Sequence, residues 1–135
     1  MSSIKDLKLA QKAANEQRHV ISDLKTLVAD IERCEKTINT LKEELDAVNS
    51  KHQGRRTTRE DIAYLTALLD CAKKKLAWEK QITSLQKRTP QLLERMLQLI
   101  HDPQNPPAEE SRNAMLGSLQ AVQAAMERLQ NVKTE

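Results

Sequence analysis

The side chains best suited to redox or metal chemistry are two cysteines and three histidines in 135 residues. Cys34 and Cys71 could form a disulfide or half of a metal site, but His19, His52 and His101 follow no metal-ligand spacing. Free thiols also pack well as small apolar core residues. We therefore predict two buried free thiols, and neither a metal nor a cofactor.

Basic side chains are concentrated in the middle of the chain. Residues 54–101 carry ten basic and five acidic side chains, although the formal net charge of the whole chain is only +3. Such a segment could bind nucleic acid, a tubulin-like surface or an anionic membrane. The residues that would do so are Arg55, Arg56, Lys73, Lys74 and Lys75. Consecutive lysines on a helix point about 100° apart, however, so the pattern also fits a solvated face whose acidic partners include Glu32 and Glu35.

Two threonines lie in sequences that resemble kinase sites. Thr58 follows Arg55 and Arg56 and is a candidate phosphorylation site, since phosphate is favourable at a helix N-terminus. Thr89 precedes Pro90, as in proline-directed sites. The simpler interpretation of both is structural, with Thr57 and Glu60 spaced as a capping box and Thr89 beside a helix irregularity.

No set of residues in the sequence suggests catalysis. The chain has no glycine-rich phosphate loop, no metal-ligand motif and no nucleophile with a nearby histidine in the pattern. Long helices also form few concave sites. We therefore predict a protein that is not an enzyme.

The longest element that the pattern predicts is a helix over residues 3–50. It contains no Gly or Pro, and its apolar residues recur every three or four positions, including Leu24, Ile31, Ile38 and Leu45. At 1.5 Å per residue such a helix is roughly 70 Å long. Its stripe broadens along the helix, which favours contact with more than one neighbouring helix.

Two further helices follow. The second is predicted over residues 58–101, after Gly54, with a break or kink at residues 89–90 because proline removes a backbone donor. Its apolar stripe is interpreted as Ile62, Leu65, Leu69, Ala72 and Leu76, continuing into Trp78, Ile82 and Leu85. A proline-rich loop then leads to a third helix over residues 106–132, with Asn105 as its predicted cap.

Short connections between long helices predict antiparallel neighbours. Folding the first two helices about residues 50–56 places Leu45 beside Ile62, Leu41 beside Leu65 and Ile31 beside Leu76. The third helix is expected to cover only the other end of this hairpin. The predicted fold is therefore all-α, a single domain over residues 1–135 with the third helix packed at one end of a coiled-coil-like hairpin.

The uncovered end of the hairpin is the predicted functional region. Two helices alone would leave apolar surface exposed, so we expect partner helices to dock there, in a homo- or hetero-oligomer, and the protein to serve as a scaffold or adaptor subunit of a complex. The predicted partner-binding residues are Ile31, Ile38, Leu41, Leu45, Val48, Ile62, Leu65 and Leu69. The alternative is the basic segment as an electrostatic binding module, although a nucleic-acid partner is not favoured.

The sequence also predicts a location. No apolar run approaches the ~20 residues that span a bilayer, and the N-terminus lacks a signal-peptide core. Two isolated cysteines do not make a disulfide scaffold. We expect an intracellular protein, in the cytoplasm or the nucleus.

Overall fold

The computed structural model describes residues 3–54 and 56–134, and within them it contains three α-helices and no strand. The helices are α1 (Ile4–Lys51), α2 (Thr58–Ile100) and α3 (Glu109–Thr134). The prediction of an all-α fold built on a long helical hairpin is confirmed.

Local sequence explains where α1 and α2 begin. Ser3 caps α1 in a capping box with Asp6, and Thr57 caps α2 in the predicted box with Glu60. In the second box the Glu60 amide donates to Thr57 Oγ1 at 3.2 Å. Gly54, between the helices, has a φ of 80°, which glycine adopts without steric cost.

The third helix starts three residues later than predicted, at Glu109. Asn105 and Pro106 each precede a proline, and a residue in that position is pushed towards extended backbone. The Asp102 side chain instead accepts hydrogen bonds from the amides of Gln104 and Asn105, which closes a turn. The helix can therefore begin only after the prolines.

The predicted irregularity at Pro90 does not end α2, which is continuous from Thr58 to Ile100. Pro90 is exposed, so water can reach the backbone carbonyl that the missing amide leaves without a partner. Thr89 is half-buried, and its hydroxyl donates to the Leu85 carbonyl at 2.7 Å.

The central element is α1, which packs against both other helices, whereas α2 and α3 contact each other little. Antiparallel α2 is joined to it by ion pairs from Arg88 to Asp30 and from Arg95 to Asp23. The parallel α3 follows α1 over most of its own length. Their hydrogen bonds run from Ser111–Gln17 at one end to the Lys42 ammonium and the Val132 carbonyl at the other.

The span of α3 corrects the predicted placement of the third helix. It was expected beside only the first half of α1, yet Arg128 lies near Glu32 and Glu35, at 3.6 and 3.7 Å. The third helix therefore covers α1 as far as Lys42. Because it runs parallel to α1 and begins beside Gln17, its 26 residues reach this far.

One apolar cluster forms the core. Its buried members in α1 recur at helical spacing and are joined by residues of both other helices. The buried residues include Leu24, Leu27, Ile31, Ile38, Trp78, Ile82, Met96, Met115 and Val122. No helix in the described ranges is long and apolar enough to cross a membrane.

Candidate partner-binding surface

The predicted partner-binding residues of α1 do not form an exposed surface. Ile31, Ile38 and Leu41 are buried in the core cluster, Val48 is half-buried, and Leu45 is 36% exposed. The physical reason is the long reach of α3, which covers the flank of α1 that the predicted pairing left open. The prediction of an exposed flank on α1 is therefore wrong for the three buried residues.

The predicted partner-binding residues of α2, by contrast, are exposed to solvent. Ile62, Leu65 and Leu69 are 60, 62 and 55% exposed, and Leu76 is 59% exposed. Together with the exposed Ala72, these residues form what we call the outer stripe: Ile62, Leu65, Leu69, Ala72 and Leu76. They face away from α1, and none belongs to the core cluster.

The predicted pairing of the hairpin is wrong in its register along α1, and the predicted α2 stripe also joined two opposite faces of that helix. Trp78 follows Leu76 by two residues, which is about 200° around a helix. Residues in phase with Trp78, namely Cys71, Ile82 and Leu85, are buried. Asp30 accordingly pairs with Arg88, whereas the predicted register placed its neighbour Ile31 beside Leu76. The core uses the Trp78 face, and the outer stripe is left exposed.

The outer stripe has the spacing of a coiled-coil seam. Its members alternate in steps of three and four residues, as positions a and d of a heptad do. Such positions lie on one face of a helix. Chemically, the stripe offers a row of aliphatic side chains that can pack against the seam of another helix.

The predicted basic face does not form a single patch. Arg56 pairs with Asp61 at 3.0 Å, and Lys74 pairs with Glu44 at 2.6 Å. The hydrogen bond to Glu44 raises the pKa of the Lys74 ammonium. Lys73 and Lys75 are exposed but lie two positions apart, on different sides of α2. Arg55 lies outside the described residues.

The predicted acidic partners of the basic helix are engaged elsewhere. Glu32 and Glu35 lie near Arg128 of α3, whereas Glu44, Asp30 and Asp23 pair with α2. Most of these side chains are well exposed, so each pair contributes little to stability. These ion pairs do, however, show the register of α2 and α3 along α1.

Both cysteines are buried free thiols, as predicted. Burial raises the pKa of the Cys34 thiol, which disfavours the reactive thiolate. No group of three or more His, Cys, Asp or Glu in residues 3–54 and 56–134 could hold a metal ion. Trp78 is in the core, and its indole Nε1 has no hydrogen-bond partner among the residues that the structure describes.

The predicted phosphorylation sites differ in accessibility. Thr58 is the first residue of α2 and is exposed, next to the capping residue Thr57. Thr89 is half-buried and hydrogen-bonded to the backbone within α2. Modification of Thr58 stays a prediction.

An aromatic contact at the hairpin turn was missed by the sequence analysis. His52 and Tyr64 stack with ring centroids 3.5 Å apart, and the Tyr64 hydroxyl donates to Asn49 Oδ1 at 2.7 Å. These contacts hold the first turns of α2 against the end of α1 and so help to orient the outer stripe. Helical periodicity carries no signal for them, because His52 lies just beyond the end of α1.

A second exposed apolar group lies at the start of α1. Ile4, Leu7 and Leu9 are exposed, as is every residue from 3 to 12. Beyond Leu7 the same face carries only the alanines Ala10 and Ala14 beside Gln11, and Ala14 is half-buried. The outer stripe is therefore the longer continuous apolar surface.

Comparisons with protein-family models, with curated proteins and with solved structures find no match for this chain.

Proposed function

We propose that this protein is a non-enzymatic interaction subunit, or adaptor, that binds a helix of a partner protein along the outer stripe of α2. The observation that carries the proposal is the row of Ile62, Leu65, Leu69 and Leu76, each more than half exposed on one face of one helix. Scattered exposed apolar residues are ordinary, but a contiguous row on a helix is typical of an interaction surface.

The size of the outer stripe indicates the kind of complex. Its exposed side chains offer roughly 400 Å² of apolar surface, similar to the largest patch on a typical monomer. Even with an equal contribution from a partner helix, the contact stays below the ~1,200 Å² of stable specific complexes. We therefore infer a transient complex, or one contact among several within a larger assembly.

The electrostatic alternative has weaker support. Arg56 and Lys74 are already paired within the chain, and the remaining described lysines of the predicted set lie on different sides of α2. Salt dependence separates the two functions. Binding through the outer stripe should survive high salt, whereas binding of an acidic polymer to the basic segment should weaken steeply.

The test compares chains captured by the wild-type protein and by a Leu65→Glu/Leu69→Glu variant at high and low salt. The matched control is Ser84→Glu/Gln98→Glu, which adds the same charge at exposed positions of α2 beyond the stripe. We expect a set of partners that the wild type and the control retain and the stripe variant loses.

Circular dichroism should show that all three proteins keep their helical content, because the changed residues are exposed. If no captured chain distinguishes the stripe variant from the control, the outer stripe is not a docking surface. If capture disappears at high salt for every variant, the electrostatic alternative is favoured.

A further inference from the structure

We propose that the occupant of the outer stripe is an amphipathic helix of a different protein, with acidic side chains flanking its apolar seam. This inference rests on the proposed function and specifies the chemistry of the partner. It is carried by three exposed lysines beside the stripe, Lys73, Lys75 and Lys80, none of which makes an ion pair within the described residues.

The length of the stripe defines the partner segment. Ile62 to Leu76 spans fourteen residue steps of α2. At 1.5 Å per step this is roughly 21 Å, or about four helical turns. A straight helix of similar length with apolar residues at heptad spacing can pack along it.

Lysines lie on both sides of the second half of the stripe. Lys73 follows Leu69 by four residues, and Lys80 follows Leu76 by four, so both are surface neighbours of the stripe on one side. Lys75 follows Ala72 by three residues and lies on the other side. All three are exposed, and within residues 3–54 and 56–134 none makes an ion pair.

Acidic residues near the stripe are fewer than the basic ones, although Asp70 lies three residues before Lys73 and Glu79 four residues after Lys75. Asp61, at the start of the stripe, accepts a hydrogen bond from Arg56 Nε at 3.0 Å. Glu79 is a single carboxylate one turn beyond Leu76. Residues flanking a helical seam decide which partner is accepted, so this basic rim favours acidic residues at the facing positions.

The same basic rim disfavours pairing between the outer stripes of two copies of this chain. In a parallel pair of outer stripes, Lys75 of one copy would face Lys80 of the other. An antiparallel pair that superposes the two stripes would bring Lys80 of one copy near Arg59 of the other. In that pair Lys75 would lie near Asp61, which Arg56 already pairs. Like charges at these positions destabilise association, and the shortness of the stripe leaves little apolar contact to offset them.

The test uses two synthetic helical peptides of three heptads with leucine at every a and d position. One has Glu at every e and g position, and the other has Lys there. Binding to the full chain is measured by fluorescence anisotropy at peptide concentrations below self-association. We expect the Glu peptide to bind roughly tenfold tighter than the Lys peptide at low salt, with a smaller ratio at high salt.

A Lys73→Glu/Lys80→Glu variant should reverse this preference. Lys8→Glu/Lys12→Glu is the matched control, because it changes the net charge equally at exposed positions of α1. That control should keep the preference for the Glu peptide. Leu69→Glu should abolish the binding of both peptides.

The outcomes separate the two proposals. Equal binding of both peptides, lost in Leu69→Glu, would overturn the acidic partner but leave the docking function standing. If Leu69→Glu does not weaken binding, or if neither peptide binds, both the docking function and the acidic partner would be overturned. Light scattering that shows a dimer disrupted by Leu69→Glu would identify a second copy as the occupant and overturn this inference.

Discussion

The apolar stripes of α1 and α2 have similar sequence patterns but opposite environments. Ile31 and Ile38 on α1 are 0 and 2% exposed, whereas Leu65 and Leu69 on α2 are more than half exposed. The central position of α1 accounts for the difference, since α2 and α3 cover it from two sides. Heptad spacing therefore identifies a helix face that can be buried, but it does not identify which element buries that face.

The largest expected loss of stability follows from a change in the buried apolar stripe of α1. Ile31→Ala should lower the free energy of unfolding by about 2–5 kcal/mol, because it removes a buried side chain and leaves a cavity among tightly packed neighbours. Urea denaturation followed by circular dichroism measures this change. A loss below about 1 kcal/mol would show that α1 is not the centre of the core.

A smaller loss of stability is expected from a change at the contact between the start of α3 and α1. Ser111→Ala removes the hydroxyl that donates to the buried Gln17 side chain at 2.9 Å and leaves that oxygen without its partner. The free energy of unfolding should fall by about 1–2 kcal/mol.

Ser118→Ala, at a half-buried serine on the same helix, is the control for the Ser111 variant. Equal stability of the two variants would contradict the placement of Ser111 against Gln17. The same denaturation experiment measures both.

The smallest loss of stability is expected from a change in the outer stripe. Leu65→Ala should change the free energy of unfolding by no more than about 0.5 kcal/mol, because the leucine is 62% exposed and alanine is a good helix former. Together with Ile31→Ala, this variant sharpens the comparison of the two stripes. A destabilisation similar to that of Ile31→Ala would mean that the Leu65 face of α2 is buried in solution.

Features that depend on neighbouring residues were predictable. The capping box of Thr57 and Glu60 and the existence of three helices follow from short-range hydrogen bonding and backbone sterics. The start of α3 at Glu109 was missed because the two prolines were interpreted as a first helical turn. The leucines of α2 that were predicted to bind a partner are exposed, but the sequence placed them against α1, whereas they face away from it.

The three helices, their order and the apolar faces that they carry follow from local sequence, since helical periodicity and capping are local properties. Which face of α2 meets α1, and how far α3 extends along α1, depend on how the whole chain packs. The change of phase between Leu76 and Trp78 gives α2 two apolar faces, and a helix can turn only one of them towards α1. The apolar face that contains Trp78 continues through Ile82, Leu85 and Met96. Burying this face therefore removes more apolar surface from water than burying the outer stripe would.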